Sequence, residues 1–377
     1  MKIPRTYSDI KRFLQPNKVL ALFGPRRVGK TTLITDFLAT YNEKYRLESG
    51  DDIRAREIFG SEDLTLLKEY TRGYGLIVID EAQRIPKIGW GLKLLVDHIP
   101  GIRVIATGSS SFELAGQIGE PLTGRKHTMT LFPVSQLELL KHHNGNRHDI
   151  SRLLSERLVF GSYPEIVIAK NNEERRNILE EIVGSYLLKD ILELDRIRNT
   201  KTLSDLLRLI ALQIGNEVSL NELASALGID KKTVARYLDL LEKSFVLYNL
   251  RGYSRNLRKE VTKKSKYYFY DTGIRNAVIS NFNDLYRRDD VGALWENFMI
   301  IERVKTRAYK NISANDYFWR TWDKQEIDLV EERGGKLFGY EFKWQKHKVR
   351  EPRAWRETYP TASYEVITAE NYLDILE

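Results

Sequence analysis

The chain contains no cysteine, which excludes disulfide bonds, thiolate metal sites and a cysteine nucleophile. It also lacks any apolar run near the roughly 18 residues that a membrane-spanning helix needs. The first fourteen residues carry Asp9, Lys11 and Arg12 and have no apolar core, so they do not resemble a secretory signal. Together these absences predict a cytoplasmic protein that does not enter a membrane.

Basic residues outnumber acidic ones. The 377 residues include 60 lysines and arginines and 52 aspartates and glutamates, which gives a formal net charge of +8. This balance suggests an anionic partner such as nucleic acid, although net charge also serves solubility. With 42% hydrophobic and 30% charged residues, the composition is that of a folded protein. The length is sufficient for two or three domains.

Apolar strands alternate with helical patterns in the first third of the chain, which predicts a parallel sheet covered on both faces. This α/β block is expected to end near Pro133. From about residue 151 to 250 apolar residues recur at helix spacing, and aromatic and β-branched runs after that predict a second α/β block. In the first block, strands are predicted at 18–23, 44–47, 76–79 and 102–107, and helices at 29–40 and 92–99.

A phosphate-binding loop is predicted between the first strand and the first helix, where residues 24–31 match G-x-x-x-x-G-K-[ST]. Glycines let successive N–H groups turn toward an anion, and the helix N-terminus adds partial positive charge. Lys30 would neutralise the outer phosphates of ATP, and the Thr31 hydroxyl would bind Mg²⁺. The predicted nucleotide-binding residues are Gly24, Pro25, Arg26, Arg27, Val28, Gly29, Lys30, Thr31 and Thr32.

The second half of such a site should be an apolar strand that ends in an acid, and residues 76–81 supply it. Asp80 would hold the magnesium through water, and Glu81 would activate the attacking water. Ser109, after the next strand, could contact the terminal phosphate or the water, or it could simply belong to a turn. Arg125 could stabilise developing charge, or it could be an ordinary surface arginine.

Residues 24–32, 76–84, 106–111, 122–125 and 161–165 together resemble the predicted AAA+ superfamily ATPases of archaea and bacteria. The resemblance implies an AAA+-like P-loop NTPase with a helical lid, followed by a winged helix and a C-terminal region. It also implies that neighbouring copies could assemble, because such sites often borrow an arginine from an adjacent subunit. The predicted divisions are an ATPase core at 1–145, a lid at 146–200, a winged helix at 201–270 and a nuclease-like α/β domain at 271–377.

A helix-turn-helix is predicted between residues 220 and 245, with Gly228 in the turn and Asp230 as N-cap of the second helix. A basic stretch, residues 251–266, follows it. Residues 201–266 hold thirteen basic and seven acidic residues, a net charge of +6. This arrangement favours DNA contact, although winged helices also serve structurally. The predicted DNA-binding residues are Lys231, Lys232, Thr233, Arg236, Arg255, Arg258, Lys263 and Lys264.

Near the C-terminus, two predicted strands carry Asp328 and the pair Glu341 and Lys343, which resembles the D…E-x-K pattern of PD-(D/E)XK nucleases, the restriction-endonuclease-like fold. Glu341 and Lys343 lie two apart and therefore share a face of their strand. Two carboxylates and a lysine can bind magnesium and orient a water against a phosphodiester. Glu296, on a predicted helix, fits the additional acid of that fold. An exposed hairpin with alternating charges and a nuclease fold that only binds DNA are the alternatives.

Two functions remain open at this point. The first is an ATPase that acts on DNA through the winged helix and the nuclease-like region. The second is a nucleotide-controlled switch or scaffold that binds a protein partner and cleaves nothing.

Overall fold

The computed structural model describes residues 3–109, 121–187, 200–253, 265–345 and 349–377. In this part of the chain the strands form two sheets, one of five strands and one of seven. None of the described helices combines the length and the apolar character that crossing a bilayer requires.

The first sheet is entirely parallel, with strand order β2-β3-β4-β1-β5, so the predicted parallel sheet is confirmed. Because the strands run the same way, their carboxyl ends meet at one edge, where a ligand crevice is expected. The strands are β1 Lys18–Phe23, β2 Tyr45–Ser49, β3 Leu76–Asp80, β4 Arg103–Thr107 and β5 Lys126–Thr130.

Helices cover both faces of this sheet. Alternate residues of β1 enter two different cores: Leu20 and Leu22 pack with α1, whereas Val19, Ala21 and Phe23 pack with α2, α3 and α4. Because nearly every residue of β1 is apolar, the strand can be buried on both faces, as a central strand of such a sheet must be. These helices are α1 Lys30–Leu38, α2 Ile53–Phe59, α3 Leu64–Thr71 and α4 Ile88–His98.

A mainly helical region follows, as predicted. Polar side chains cap its helices: Ser135 and Glu138 form a capping box at α5, and the side-chain oxygen Oδ1 of Asn146 accepts from two backbone N–H groups of α6. A π-helical segment, Ile182–Leu187, continues α8. The helices are α5 Gln136–His142, α6 Arg147–Phe160, α7 Pro164–Ile168, α8 Asn172–Glu181, α9 Thr200–Leu212, α10 Leu220–Leu227 and α11 Lys231–Lys243.

The second sheet is mixed, with order β12-β11-β10-β9-β7-β8-β6. Its central feature is β7, which pairs antiparallel with β8 and parallel with β9. Strands from the predicted winged helix (201–270) and from the predicted nuclease-like domain (271–377) therefore belong to one sheet. They are joined by the pairing of β7 with β9. The strands are β6 Glu217–Val218, β7 Leu247–Gly252, β8 Ser265–Phe269, β9 Asn315–Arg320, β10 Glu326–Arg333, β11 Lys336–Phe342 and β12 Ser363–Ile367.

Strands β10 and β11 form the predicted hairpin, with Gly334 and Gly335 both at positive φ in its two-residue turn. The longest helix of this region, α13, buries Trp295 and packs against β8 and β11. One apolar core extends from β1 and α1 to α13 and the last helix. The remaining helices are α12 Thr272–Val278, α13 Val291–Lys310, α14 Arg353–Thr358 and α15 Tyr372–Leu376, with single 3-10 turns at Ile10–Phe13, Ala82–Arg84 and Leu285–Arg287.

Candidate functional site

The predicted phosphate-binding loop connects the end of β1 to the start of α1. Gly24 has φ +147°, and a Cβ there would lie 2.1 Å from the carbonyl oxygen of Leu131, so only glycine fits. Gly29, at φ +92°, is the N-cap of α1. The nine predicted residues, Gly24 to Thr32, all lie in this loop or in the first turn of α1.

Lys30 is buried, with 5% of its surface exposed. Its ammonium donates hydrogen bonds to the carbonyl oxygens of Gly24, at 2.7 Å, and Pro25, at 2.9 Å. A charged group is therefore held against the loop, within reach of any anion that the loop encloses.

Thr31 and Asp80 meet although they lie 49 positions apart in the chain. The Thr31 hydroxyl donates to Oδ2 of Asp80 at 2.9 Å. Oδ1 of the same carboxylate accepts from the hydroxyl of Thr107, at the end of β4. The sequence had placed Thr31 and Asp80 in one site, but it had not identified Thr107.

Glu81 follows directly and has φ +50°, a left-handed conformation that is unusual for a glutamate. Its N–H donates to the Thr107 hydroxyl at 3.3 Å, and its carboxylate accepts from Gln83. Ser109 lies two residues beyond β4 and is buried. Glu81 and Ser109 thus lie at the carboxyl edge of the sheet, where residues that contact a nucleotide are expected.

A cavity of about 1240 Å³ opens beside the loop, large enough for a nucleotide. Thr31 and Glu81 line it. Its other walls come from the N-terminal segment, which contributes Ile3 and Arg5, and from Glu165 at the start of α7.

The helical region contacts the loop through Arg27. Its guanidinium forms ion pairs with Glu181, at 2.7 Å, and with Glu165, at 3.5 Å. These ion pairs connect helices α7 and α8 to the phosphate-binding loop.

Arg125 lies elsewhere. It immediately precedes β5, and its carbonyl accepts from the N–H of Val19 at the start of β1, so it occupies the edge opposite the loop. Its side chain pairs with Asp97 at 2.6 Å. Within one chain the structure does not bring Arg125 to Lys30, so its role as a charge-stabilising arginine stays a prediction.

Three family descriptions match successive parts of the chain. Residues 16–140 match an AAA domain. Residues 151–285 and 291–373 match two domains of unknown function, DUF8612 and DUF4143. The first match coincides with the parallel sheet and the phosphate-binding loop.

Residues 16–140 are therefore similar to AAA domains.

Relatives extend this likeness over most of the chain. An uncharacterized protein of Mycobacterium tuberculosis is 28% identical over 338 residues, which cover 89% of this chain and 72% of that protein. An uncharacterized protein of Methanocaldococcus jannaschii is 24% identical, with 85% and 74% covered. Among solved structures, a Signal Transduction ATPase with Numerous Domains from Pyrococcus horikoshii is 15% identical at a TM-score of 0.30, and the similarity spans 82% of this chain and 48% of that one.

Downstream of residues 16–140, helices α10 and α11 follow each other across a short turn and pack against each other. Gly228 has φ +63° and ends α10, and Asp230 caps α11 by accepting from the Thr233 N–H at 2.8 Å. The Thr233 hydroxyl also donates to Asp230, so this side chain serves the cap. Lys231, Lys232 and Arg236 are exposed, whereas the predicted residues Arg255, Arg258, Lys263 and Lys264 lie outside the described part of the chain.

The structure brings together the four residues of the predicted nuclease site. Asp328 accepts from the backbone N–H of Phe342 at 2.8 Å, and Lys343 pairs with Glu341 at 2.6 Å. Glu296 reaches them from α13, and its charge acts on Lys343. The other oxygen of Glu341, Oε2, is buried and has no hydrogen-bond partner among the described residues.

Lys266 also enters this acidic cluster. Its ammonium lies 3.4 Å from Glu296 and pairs with Glu326, and it is buried. The sequence had counted Lys266 in the basic stretch at 251–266, but in the structure it is buried and paired with acids. No signal in the sequence places a strand β8 lysine beside a helix glutamate, since their contact depends on the tertiary fold.

Burial is the main reason why the pKa values of the carboxyl groups in the cluster are raised. It raises the pKa of Glu296 to about 8 and, with the charge of Asp328, that of Glu341 to about 7. The pKa of Asp328 is raised for the same reason, although Lys343 and Lys266 oppose the shift. Among the described residues no group of three or more acids or histidines is arranged to hold a metal ion.

Proposed function

We propose that the ATPase domain binds ATP with magnesium and hydrolyses it. The observation that carries this proposal is the 2.9 Å contact between Thr31 and Asp80, beside the buried ammonium of Lys30. Hydroxyl and carboxylate oxygens are the ligands that magnesium prefers, and here they lie next to the loop that would hold the phosphates.

Each residue has a distinct part in this proposal. Backbone N–H groups of the loop surround the phosphates, and Lys30 neutralises their charge. Magnesium, when held near Thr31 and Asp80, supplies further positive charge to the outer phosphates. Glu81 orients the attacking water and accepts its proton. Ser109 would bind the terminal phosphate from the end of β4.

The test measures nucleotide affinity and phosphate release in magnesium, for the wild type and for Lys30→Ala. We expect the wild type to bind and hydrolyse ATP, and the variant to lose turnover. Lys68→Ala, on the exposed face of α3, is the matched control and should behave as the wild type. A wild type without magnesium-nucleotide affinity would disprove the proposal.

We further propose that the protein acts on DNA. The support comes from Lys231, Lys232 and Arg236, which are exposed in the first half of α11, where helix-turn-helix proteins contact phosphates and bases. The alternative is a switch that binds a protein partner. Turnover stimulated by single-stranded, duplex or branched DNA favours the first function, and turnover indifferent to all three favours the second.

Cleavage of DNA is a second candidate activity, supported by the partnerless Oε2 of Glu341 next to Asp328 and Lys343. A metal ion at these oxygens would orient water toward a phosphodiester. Magnesium- or manganese-dependent cleavage is read from the same reactions as the ATPase assay. If wild-type protein and Glu341→Gln leave all three substrates equally intact, the cluster has no cleavage role.

Assembly of several copies would give Arg125 a role. Because it lies at the edge opposite its own loop, it could reach a phosphate only in a neighbouring copy. ATPase activity per chain should then rise with protein concentration, and Arg125→Ala should abolish that rise while leaving ATP affinity unchanged. Activity that is independent of concentration would exclude this role.

A further inference from the structure

One arginine outside the predicted motifs contacts the phosphate-binding loop. Arg5, in the N-terminal segment, is 9% exposed, and its guanidinium donates to the carbonyl oxygen of Val28 at 2.6 Å. A second nitrogen donates to the carbonyl oxygen of Phe132, beyond the end of β5. Arg5 therefore spans the loop and the strand edge next to it.

The guanidinium is held in place from its other side. Its Nε donates to Glu138 at 3.1 Å, and the same carboxylate oxygen accepts from the N–H of Thr6 at 2.7 Å. Burial lowers the pKa of Arg5, but Glu138 and Tyr309 raise it further than burial lowers it. The residue is thus a permanently charged donor with three fixed acceptors.

Anchoring the Val28 carbonyl has a direct consequence for the next N–H. The described peptide bonds are all trans, and in a trans peptide the C=O and the following N–H point in opposite directions. Fixing the Val28 carbonyl on Arg5 therefore fixes the direction of the Gly29 N–H. Gly29 itself, at φ +92°, has no side chain that could restrict this peptide.

The same arrangement reaches the C-terminal region. The N–H of Phe132 donates to the hydroxyl of Tyr309, on α13, at 3.2 Å. The Tyr309 ring also packs edge-on against Tyr7, with centroids 5.1 Å apart. A helix about 280 residues along the chain from the loop therefore contacts the same residue, Phe132, whose carbonyl oxygen accepts from Arg5.

We propose that Arg5 is a positioning residue of the ATP site, which orients the Gly29 N–H toward the phosphates, and that Tyr309 of α13 holds the Phe132 side of this arrangement. The inference rests on the proposed ATP binding. It means that the nucleotide site is completed by the N-terminal segment and by α13, both outside residues 16–140.

The test compares affinities for ATP, ADP and AMP by calorimetry, well below the unfolding temperature of each variant. Arg5→Met should weaken ATP and ADP binding about 10- to 100-fold, by analogy with the loss typical when residues that orient metal ligands are removed. AMP affinity should not change, because AMP lacks the outer phosphates. Arg5→Lys, which retains one charged donor, should fall between Arg5→Met and the wild type.

Tyr309→Phe should weaken ATP and ADP binding by a smaller factor than Arg5→Met does, and it should leave AMP affinity unchanged. Its control is Tyr372→Phe, which removes another buried hydroxyl contact between the C-terminal region and the ATPase side, the 3.1 Å bond to Gln136. The control should leave all three affinities unchanged. Equal effects of the two tyrosine variants would overturn the role of α13.

Other outcomes separate this inference from the proposed function. If the wild type binds no ATP, the proposed function fails first. If the wild type binds ATP and Arg5→Met binds it equally well, the positioning role is overturned. A parallel loss of ATP, ADP and AMP affinity would indicate general damage to the fold and would also overturn it.

Discussion

Thr107, at the end of β4, donates its hydroxyl hydrogen to the carboxylate of Asp80, at the end of β3. The two strands are paired in parallel, with Ile79 opposite Ala106, so the hydrogen bond follows directly from the register. Through it, Thr107 orients the carboxylate that we expect to serve the metal.

Replacing Thr107 by valine should therefore lower ATPase activity. The side chain keeps its shape but lacks the hydroxyl, and removal of such an orienting group typically costs 10- to 100-fold in metal affinity or activity. The measurement is the magnesium concentration for half-maximal turnover, which should rise. Thr107→Ser should retain most activity. Thr71→Val, which removes a buried hydroxyl from α3, is the control, and an equal effect there would contradict the prediction.

Asp80 and Glu81 should fail in different ways. Asp80→Asn weakens the magnesium site, so we expect both nucleotide affinity in magnesium and turnover to fall. Glu81→Gln leaves the phosphate contacts intact and removes the base, which should reduce turnover by about 10²–10⁴-fold with ATP affinity near that of the wild type. Titration with ATP and single-turnover phosphate release distinguish the two. Glu69→Gln, an exposed change in α3, is the control, and equal loss of affinity in both site variants would refute the assignment.

The acidic cluster should make stability depend on pH. Burial raises the pKa of Glu296 from 4.5 to about 8, so the folded state keeps a proton that the unfolded state releases above about pH 4.5. Stability from this group is complete below that pH and is lost as pH rises toward 8, with a slope of at most about 1.4 kcal/mol per pH unit. The other charged or titratable groups that act on it are Lys266, Tyr268, Glu326, Asp328 and Lys343.

Glu296→Gln should flatten this decline between pH 5 and 8, as measured by denaturant unfolding at several pH values. Glu365→Gln, an exposed change on β12, should keep the wild-type slope. Identical slopes for all three proteins would show that Glu296 is ionised in the folded state.

The start of α11 should account for part of any DNA affinity. Replacing Lys231, Lys232 and Arg236 by alanine should weaken binding and reduce the salt slope by about 0.9 for each phosphate that the variant no longer neutralises. Lys243→Ala is the control, since it lies at the other end of the helix and pairs with Asp239 at 2.9 Å. An unchanged slope in the triple variant would place the DNA surface elsewhere.

Sequence reasoning was sufficient where the determinants are local. The loop from Gly24 to Thr32 is recognisable from its glycines and its lysine, and a parallel sheet brings the end of β3 to it without further information. The hairpin of β10 and β11 is equally local, because two adjacent glycines define its turn.

It failed where a contact depends on the whole fold. Strand β5 buries only Met129 fully, as an edge strand can, so it has no apolar run and was not predicted. Without β5, nothing in the sequence showed that Arg125 precedes a strand and so lies at the edge of the sheet opposite the phosphate-binding loop. Arg5 likewise gives no signal, since its acceptors, two backbone carbonyls and the Glu138 carboxylate, lie far along the chain.

The pairing of β7 with both β8 and β9 has a mechanical consequence. Helix α11 packs on β7, and the acidic cluster lies across β8, β10 and β11, so both are attached to the same sheet. If α11 bound a DNA duplex, the distance along the duplex between the bound site and the acidic cluster would therefore be set by the sheet. A movement driven by ATP would have to move α11 and the cluster together, because separating them would break the backbone hydrogen bonds between β7 and β9.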